Sequence, residues 1–254
     1  MSAHAGIDRA GPFLTSSGIF TVAQPAPEIA RRHWIPCGEG EEIVVLIHGL
    51  FMRGREMALL HRRLTGAGFS TRQFSYPSVR GSPAVVARLL GEFVADIEEP
   101  VVHYVAHSLG GLILRHFFHG DSDGRPGRVV TLATPHRGSR AAQALANTVL
   151  GRRLLGQSVE QGLLGDVPAW RGDRELGVIA GSGGIGLGRF LARLDLPHDG
   201  TVAAAETELS TATDRITLPV SHFGGLFSRD VADQVIYFLR EGRFWHGGNC
   251  DGYR

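Results

Sequence analysis

The feature that most constrains the fold is a rhythm: short apolar runs alternate with helix-like stretches from residue 43 to residue 242. "IVVLI" (43–47) is apolar on both faces, as a strand buried inside a parallel sheet must be. A helical pattern over 54–66 follows and stops near Gly66 and Gly68. "STRQFSYP" (70–77) reads as a second strand ended by Pro77. "SPAVVARLLGEFVADIEE" (82–99) reads as an amphipathic helix with Ser82 at its N-cap and Pro83 at its first position. "VVHYVA" (101–106), "GRVVTLATP" (127–135), "ELGVIAGSG" (175–183) and "DRITLPV" (214–220) supply four more strands. A helix from 109 follows the third strand, and one over 228–242, capped by Ser228, closes the series. Strands alternating with helices predict an α/β fold: about six core strands in a mostly parallel twisted sheet, helices on both faces.

A chain of 254 residues suits one domain, 1–254. Residues 1–40, scattered with Gly, Pro and Ser, read as an N-terminal arm. Residues 139–172 read as a packed crossover helix followed by a mobile apolar segment, a partial lid. A net charge of +1 gives no reason to expect nucleic acid or an anionic membrane as a general partner. Every basic residue is Arg, which excludes a lysine Schiff base or a Ser-Lys dyad. Cys37 and Cys250 are too few for a disulfide framework and leave one bridge or two free thiols open. Neither a secretory signal nor an 18-residue apolar run is visible, so the expectation is a cytoplasmic protein without stable membrane insertion.

In a sheet of this kind, chemistry gathers where strands end at their carboxyl edge. His48-Gly49-Leu50 follows the first strand and His107-Ser108-Leu109-Gly110 the third. Asp199 lies beyond the fifth, and His222 follows the sixth. A serine hydroxyl becomes a nucleophile only when a base takes its proton, and histidine suits that task near neutral pH. A carboxylate then holds the imidazole tautomer and stabilises the imidazolium. "AHSLG" (106–110) departs from G-x-S-x-G by one methyl group, yet Ala106 and Gly110 are both small, as a tight strand-to-helix turn demands. Two backbone N–H groups should bind the oxyanion: Leu109, directly after the serine, and Leu50 from the first loop, with Phe51 as the alternative.

These residues carry a resemblance. "IHGLF" (47–51), "VAHSLGG" (105–111), "TLATPHRGS" (131–139), "HDGTV" (198–202) and "VSHFGGLFS" (220–228) resemble the α/β-hydrolase superfamily, in its small bacterial lipase and esterase branch. The resemblance implies Ser108 as nucleophile, His222 as general base and Asp199 as its orienter, with Asp195 as the rival acid. Leu50 and Leu109 would form the oxyanion hole, and Phe51, His107 and Phe223 would line the substrate pocket. The implied activity is hydrolysis of small-molecule or lipid carboxylic esters without metal or organic cofactor. Cleavage of another acyl bond (amide, thioester or polyester) and cofactor-free ligand binding without catalysis are the alternatives.

Two further patterns are read as decoys. "GSGGIG" (181–186) matches G-x-G-x-x-G, but it follows the fifth strand rather than opening the fold. It is read as a flexible pocket rim. His116 and His119, with Asp121 and Asp123, lack the spacing of a metal motif and are read as solvated polar residues at a helix end.

Overall fold

The computed structural model describes residues 14–15, 18–19, 41–120, 124–171, 174–184 and 193–247. Most of the N-terminal arm, Cys37, Cys250, Asp121 and Asp123 lie outside the described residues. Of the arm, only a two-residue antiparallel ladder between Leu14–Thr15 and Gly18–Ile19 is described.

Six strands form one sheet: β1 (Glu42–Ile47), β2 (Ser70–Phe74), β3 (Val101–His107), β4 (Val129–Leu132), β5 (Leu176–Gly181) and β6 (Asp214–Leu218). Their order is β2-β1-β3-β4-β5-β6, and all neighbours run parallel. The order reverses between β1 and β3, and the carboxyl ends of the strands at such a switch point are where open parallel sheets receive ligands. β2 is an edge strand, and its polar sequence STRQF leaves only Phe74 buried.

Helices cover both faces. α2 (Pro83–Ala95) and α3 (Leu109–His119) pack Val86, Leu90, Leu112 and Ile113 against Val45, Ile47, Val102 and Tyr104 on one face. α1 (Ala58–Gly66) and α7 (Arg229–Glu241) pack Leu60, Leu64, Val231 and Val235 against Val44, Leu46, Val105 and Val130 on the other. Each such buried aliphatic side chain stabilises the fold by about 1.5–3 kcal/mol before entropic costs. The N-termini of α2 and α7 are where the capping signals put them, whereas α2 stops at Ala95 and not at 99. Ser82 accepts the N–H of Val85 and precedes Pro83, while Ser228 accepts that of Val231.

The crossover from β4 to β5 holds two short helices, α4 (Arg140–Ala146) and α5 (Val149–Leu155), then an irregular turn through Val159–Leu163. Leu155, Val159 and Leu163 belong to the core on the α2–α3 face. Val149, Leu150 and Leu154 stand in solvent at 87, 79 and 53 % exposure. The segment is thus part core and part exposed apolar surface. A four-residue helix, α6 (Gly224–Phe227), precedes α7.

Candidate active site

Ser108 links β3 to α3 with φ +52° and ψ −118°, a region that L residues avoid at a cost of about 1–3 kcal/mol. Four contacts hold it there. Its N–H donates to the Leu132 carbonyl (2.9 Å), and its carbonyl accepts from Gly111 N–H (3.1 Å) and from the Thr134 hydroxyl (2.9 Å). The fourth is steric. A Cβ at Gly110 would lie 2.7 Å from the Ile47 carbonyl oxygen and 2.8 Å from that of His48, so α3 can sit on the end of β1 only with glycine there. Ala106 is fully buried in β3, paired with Ile47 and Thr131, and the packing accommodates its methyl group.

His222 enters from the loop after β6. Its Nε2 lies 3.2 Å from Ser108 Oγ and its Nδ1 2.7 Å from Asp199 Oδ2. The second oxygen of Asp199 accepts the N–H groups of Thr201 (2.8 Å) and Val202 (2.7 Å), closing a tight turn through Gly200 at φ +93°. Asp199 is 1 % exposed. Asp195, the rival acid, points away and pairs with Arg140 at 2.9 Å, both side chains more than half exposed.

Leu109 opens α3, so its N–H has no intrahelical acceptor, and the helix N-terminus favours negative charge beside Ser108. Among the described residues, neither its N–H nor that of Leu50 meets a protein acceptor. Phe51, the alternative donor, has its N–H engaged by Ser78 Oγ at 3.1 Å. Gly49 lets the β1 loop come this close, because a Cβ there would meet His107 Nδ1 at 2.9 Å and Ser108 Cβ at 3.1 Å.

The residues expected around the pocket divide. Phe51 and Phe223 are both about half exposed (54 and 53 %), and the Phe223 ring lies edge-on to His222 with centroids 5.6 Å apart. His107 is buried instead, and its Nε2–H donates to the His222 carbonyl at 3.0 Å, so its ring braces the histidine loop from behind. Burial, with the nearby His222, drives its pKa down to about 3, which keeps it neutral. His48 is buried as well. It stacks on Tyr76 at 4.2 Å, accepts the Tyr76 N–H and donates to the Gly49 carbonyl, and burial lowers its pKa.

Two supporting residues carried no usable signal in the sequence reading. Thr134 lies inside the quoted "TPHRGS" motif, but its hold on the Ser108 carbonyl is a contact between strand ends. Glu206 accepts the N–H groups of Arg140 (2.7 Å) and Ala203 (2.8 Å), tying the start of α4 to the Asp199 turn. Burial raises the Glu206 pKa. With alanine at 203, no Ser or Thr stands three residues before Glu206 to mark a capping box.

The glycines of "GSGGIG" have a packing role. A Cβ at Gly181 would meet the Val220 carbonyl oxygen at 2.6 Å and Asp199 Cβ at 2.7 Å, and one at Gly183 would meet the Ser221 nitrogen at 2.6 Å. They let β5 end against both loops of the site. Ile185 and Gly186 lie outside the described residues. His116 donates to the Gln161 carbonyl at 2.6 Å, and His119 is exposed at the end of α3. Among the described residues, no three His, Cys, Asp or Glu side chains gather as a metal site would require.

No family model matches the sequence, and no curated protein matches it. Solved structures do. The mature lipase BlEst2 of Bacillus licheniformis is similar with a TM-score of 0.59 and 22% identity, over 80% of this chain and 91% of that one. The metagenomic carboxyl esterase MGS0156 is similar at 0.55 and 18% identity, over 78% and 68% of the two chains. A pyrethroid hydrolase from Sphingobium faniae JZ-2 is similar at 0.52 and 13% identity, over 79% and 98%. At these identities the likeness is one of fold.

Proposed function

For a chain with the α/β-hydrolase fold, we propose a serine hydrolase that cleaves carboxylic esters through an acyl-enzyme on Ser108. The observation that carries the reading is the continuous chain from Ser108 Oγ to His222 (3.2 Å) to Asp199 (2.7 Å) at the carboxyl edge of the sheet. In this reading His222 Nε2 takes the hydroxyl proton as Oγ attacks the ester carbonyl. Asp199 holds Nδ1–H toward itself and stabilises the imidazolium. The oxyanion is bound by the N–H groups of Leu50 and Leu109. The imidazolium then returns its proton to the departing alkoxide, the C–O bond breaks, and an alcohol leaves. Water, deprotonated by the same histidine, resolves the acyl-enzyme to acid and free serine.

Phe51, on the loop after β1, and Phe223, edge-on to His222, offer exposed apolar surface, which suits the acyl or alcohol part of an ester. No step in this scheme calls for a metal or an organic cofactor. Among the described residues no helix is long and apolar enough to cross a membrane. The exposed apolar side of α5 is proposed as part of a lid over the acyl site.

The test is a fluorophosphonate probe together with p-nitrophenyl esters from acetate to palmitate. Labelling and turnover in the wild type, with both absent in Ser108→Ala, are expected. A wild type that neither takes the probe nor cleaves any ester would remove the proposal. Amide and thioester analogues of the best ester decide the bond class.

A further inference from the structure

The chain that leaves β2 lies along the loop that leaves β1. Tyr76 donates its hydroxyl to the His48 carbonyl (2.7 Å) and its N–H to His48 Nε2 (3.2 Å). Ser75 Oγ donates to the Arg53 carbonyl (3.0 Å). Between these two anchors the loop makes one strained step. Phe51 stands at φ +61° with its side chain half exposed, so nothing in its own chemistry favours that conformation. Its N–H donates to the hydroxyl of Ser78, which is 5 % exposed.

We propose that Ser78 is a positioning residue for the oxyanion hole. The inference rests on the serine hydrolase reading above. The Ser78 hydroxyl receives the Phe51 N–H and holds the Leu50–Phe51 peptide in one orientation. This leaves the preceding Leu50 N–H as the donor offered to substrate. Without that acceptor, the segment between the two anchors can relax Phe51 out of positive φ by turning the Gly49–Leu50 and Leu50–Phe51 peptides together. Such a relaxation takes the Phe51 N–H from the Ser78 hydroxyl and, because the Gly49–Leu50 peptide carries it, turns the Leu50 N–H off line. The hydroxyl therefore selects the strained, competent loop over a relaxed, incompetent one.

The experiment uses the full chain and the series Ser78→Ala, Ser78→Cys and Ser78→Thr, each checked for folding by thermal melting. Steady-state hydrolysis of p-nitrophenyl butyrate is measured beside inhibition by a trifluoromethyl ketone, which forms the tetrahedral adduct. Ser78→Ala is expected to lower kcat about 10- to 100-fold with KM within about threefold, less than deleting an oxyanion donor outright. The ketone should lose affinity by the same factor as kcat/KM. Ser78→Thr, which keeps the hydroxyl, should recover most of the loss, and Ser78→Cys, a weak acceptor, should fall between. Hydrogen exchange of the Phe51 amide should be protected in the wild type and quicken in Ser78→Ala.

A folded Ser78→Ala with unchanged kcat and ketone affinity overturns the proposal. So does a wild type whose Phe51 amide exchanges as fast as a free loop, a result that holds even if the variants fail to fold. A wild type inert to both esters and the fluorophosphonate probe overturns the hydrolase reading and this proposal with it. An active wild type beside an unimpaired Ser78→Ala overturns the proposal alone.

Discussion

His222 meets Asp199 twice: Nδ1 lies 2.7 Å from the carboxylate, and the His222 main-chain N–H donates to the Asp199 carbonyl at 3.0 Å. The two loops are joined by backbone as well as by side chain. Removing the carboxylate charge therefore need not part them. Asp199→Asn can still accept the Thr201 and Val202 N–H groups through its amide oxygen, but it presents NH2 to His222 and imposes the wrong tautomer. The expected outcome is kcat lower by about 10⁴-fold, with urea stability close to wild type. Asp199→Ala strands the buried Val202 N–H and the half-buried Thr201 N–H, and should lose a further ~1–3 kcal/mol for the first. An Asn variant that keeps a tenth of the activity would show that Asp199 does not orient the base.

Acid should destabilise the protein through buried histidines, His107 and His136 foremost. Burial lowers the pKa of both His107 and His136 from 6.5 to about 3. Between those values the unfolded chain binds protons that the folded chain refuses. Stability is thus full above about pH 6.5 and falls as pH drops toward 3. From pH 7 to pH 5 the loss is on the order of 2 kcal/mol per histidine. Urea midpoints at the two pH values test this. His136→Gln should remove its own share of the pH 7-to-5 difference, on the order of 2 kcal/mol, and an unchanged difference would mean that His136 is not held neutral.

The turn at Ser108 has one steric requirement before it and one after it. Gly110→Ala forces a Cβ against two backbone carbonyls of β1 and its loop, at 2.7 and 2.8 Å. It should cost about 1–3 kcal/mol and displace Ser108, visible as a lower melting temperature and lost probe labelling. Ala106→Gly opens no clash, so it should cost about 0.5–1 kcal/mol and leave turnover nearly intact. A Gly110→Ala protein as stable and reactive as wild type would contradict the packing described for α3.

The exposed side of α5 offers a test of the lid. Deleting 151–165 would remove Leu155, Val159 and Leu163 from the core and confuse stability with specificity. Leu150→Ser combined with Leu154→Ser changes only exposed side chains, at 79 and 53 %. The double variant should lower palmitate against acetate ester turnover by about tenfold with an unchanged melting temperature. An equal effect on both esters would assign this face to something other than acyl-chain contact.

Much of this molecule was legible as pattern. Periodicity located every strand of the sheet, because a buried parallel strand must be apolar on both faces. β2 is the instructive case: its sequence is polar, and it is the edge strand, where apolar residues on both faces are not required. Strand ends were read two or three residues too long at β2, β4, β5 and β6, since residues such as Thr134 and Val220 keep β-like chemistry while leaving the ladder to build the site. The strand-to-helix turn at Ser108 was legible because local sterics restrict its neighbours to small residues, and His222 stood out only by its place after a strand end.

Local sequence carries the kind of layer, the strand-to-helix turn and the chemical types at each strand end. These follow from short-range sterics and hydrophobic periodicity. The meeting of distant loops set Asp199 and not Asp195 against His222, turned His107 from the pocket into a brace, and engaged the Phe51 N–H with Ser78, 27 residues away. Those choices depend on which loops meet at the carboxyl edge of the sheet. A hydrogen bond between distant segments leaves no periodic trace in either one.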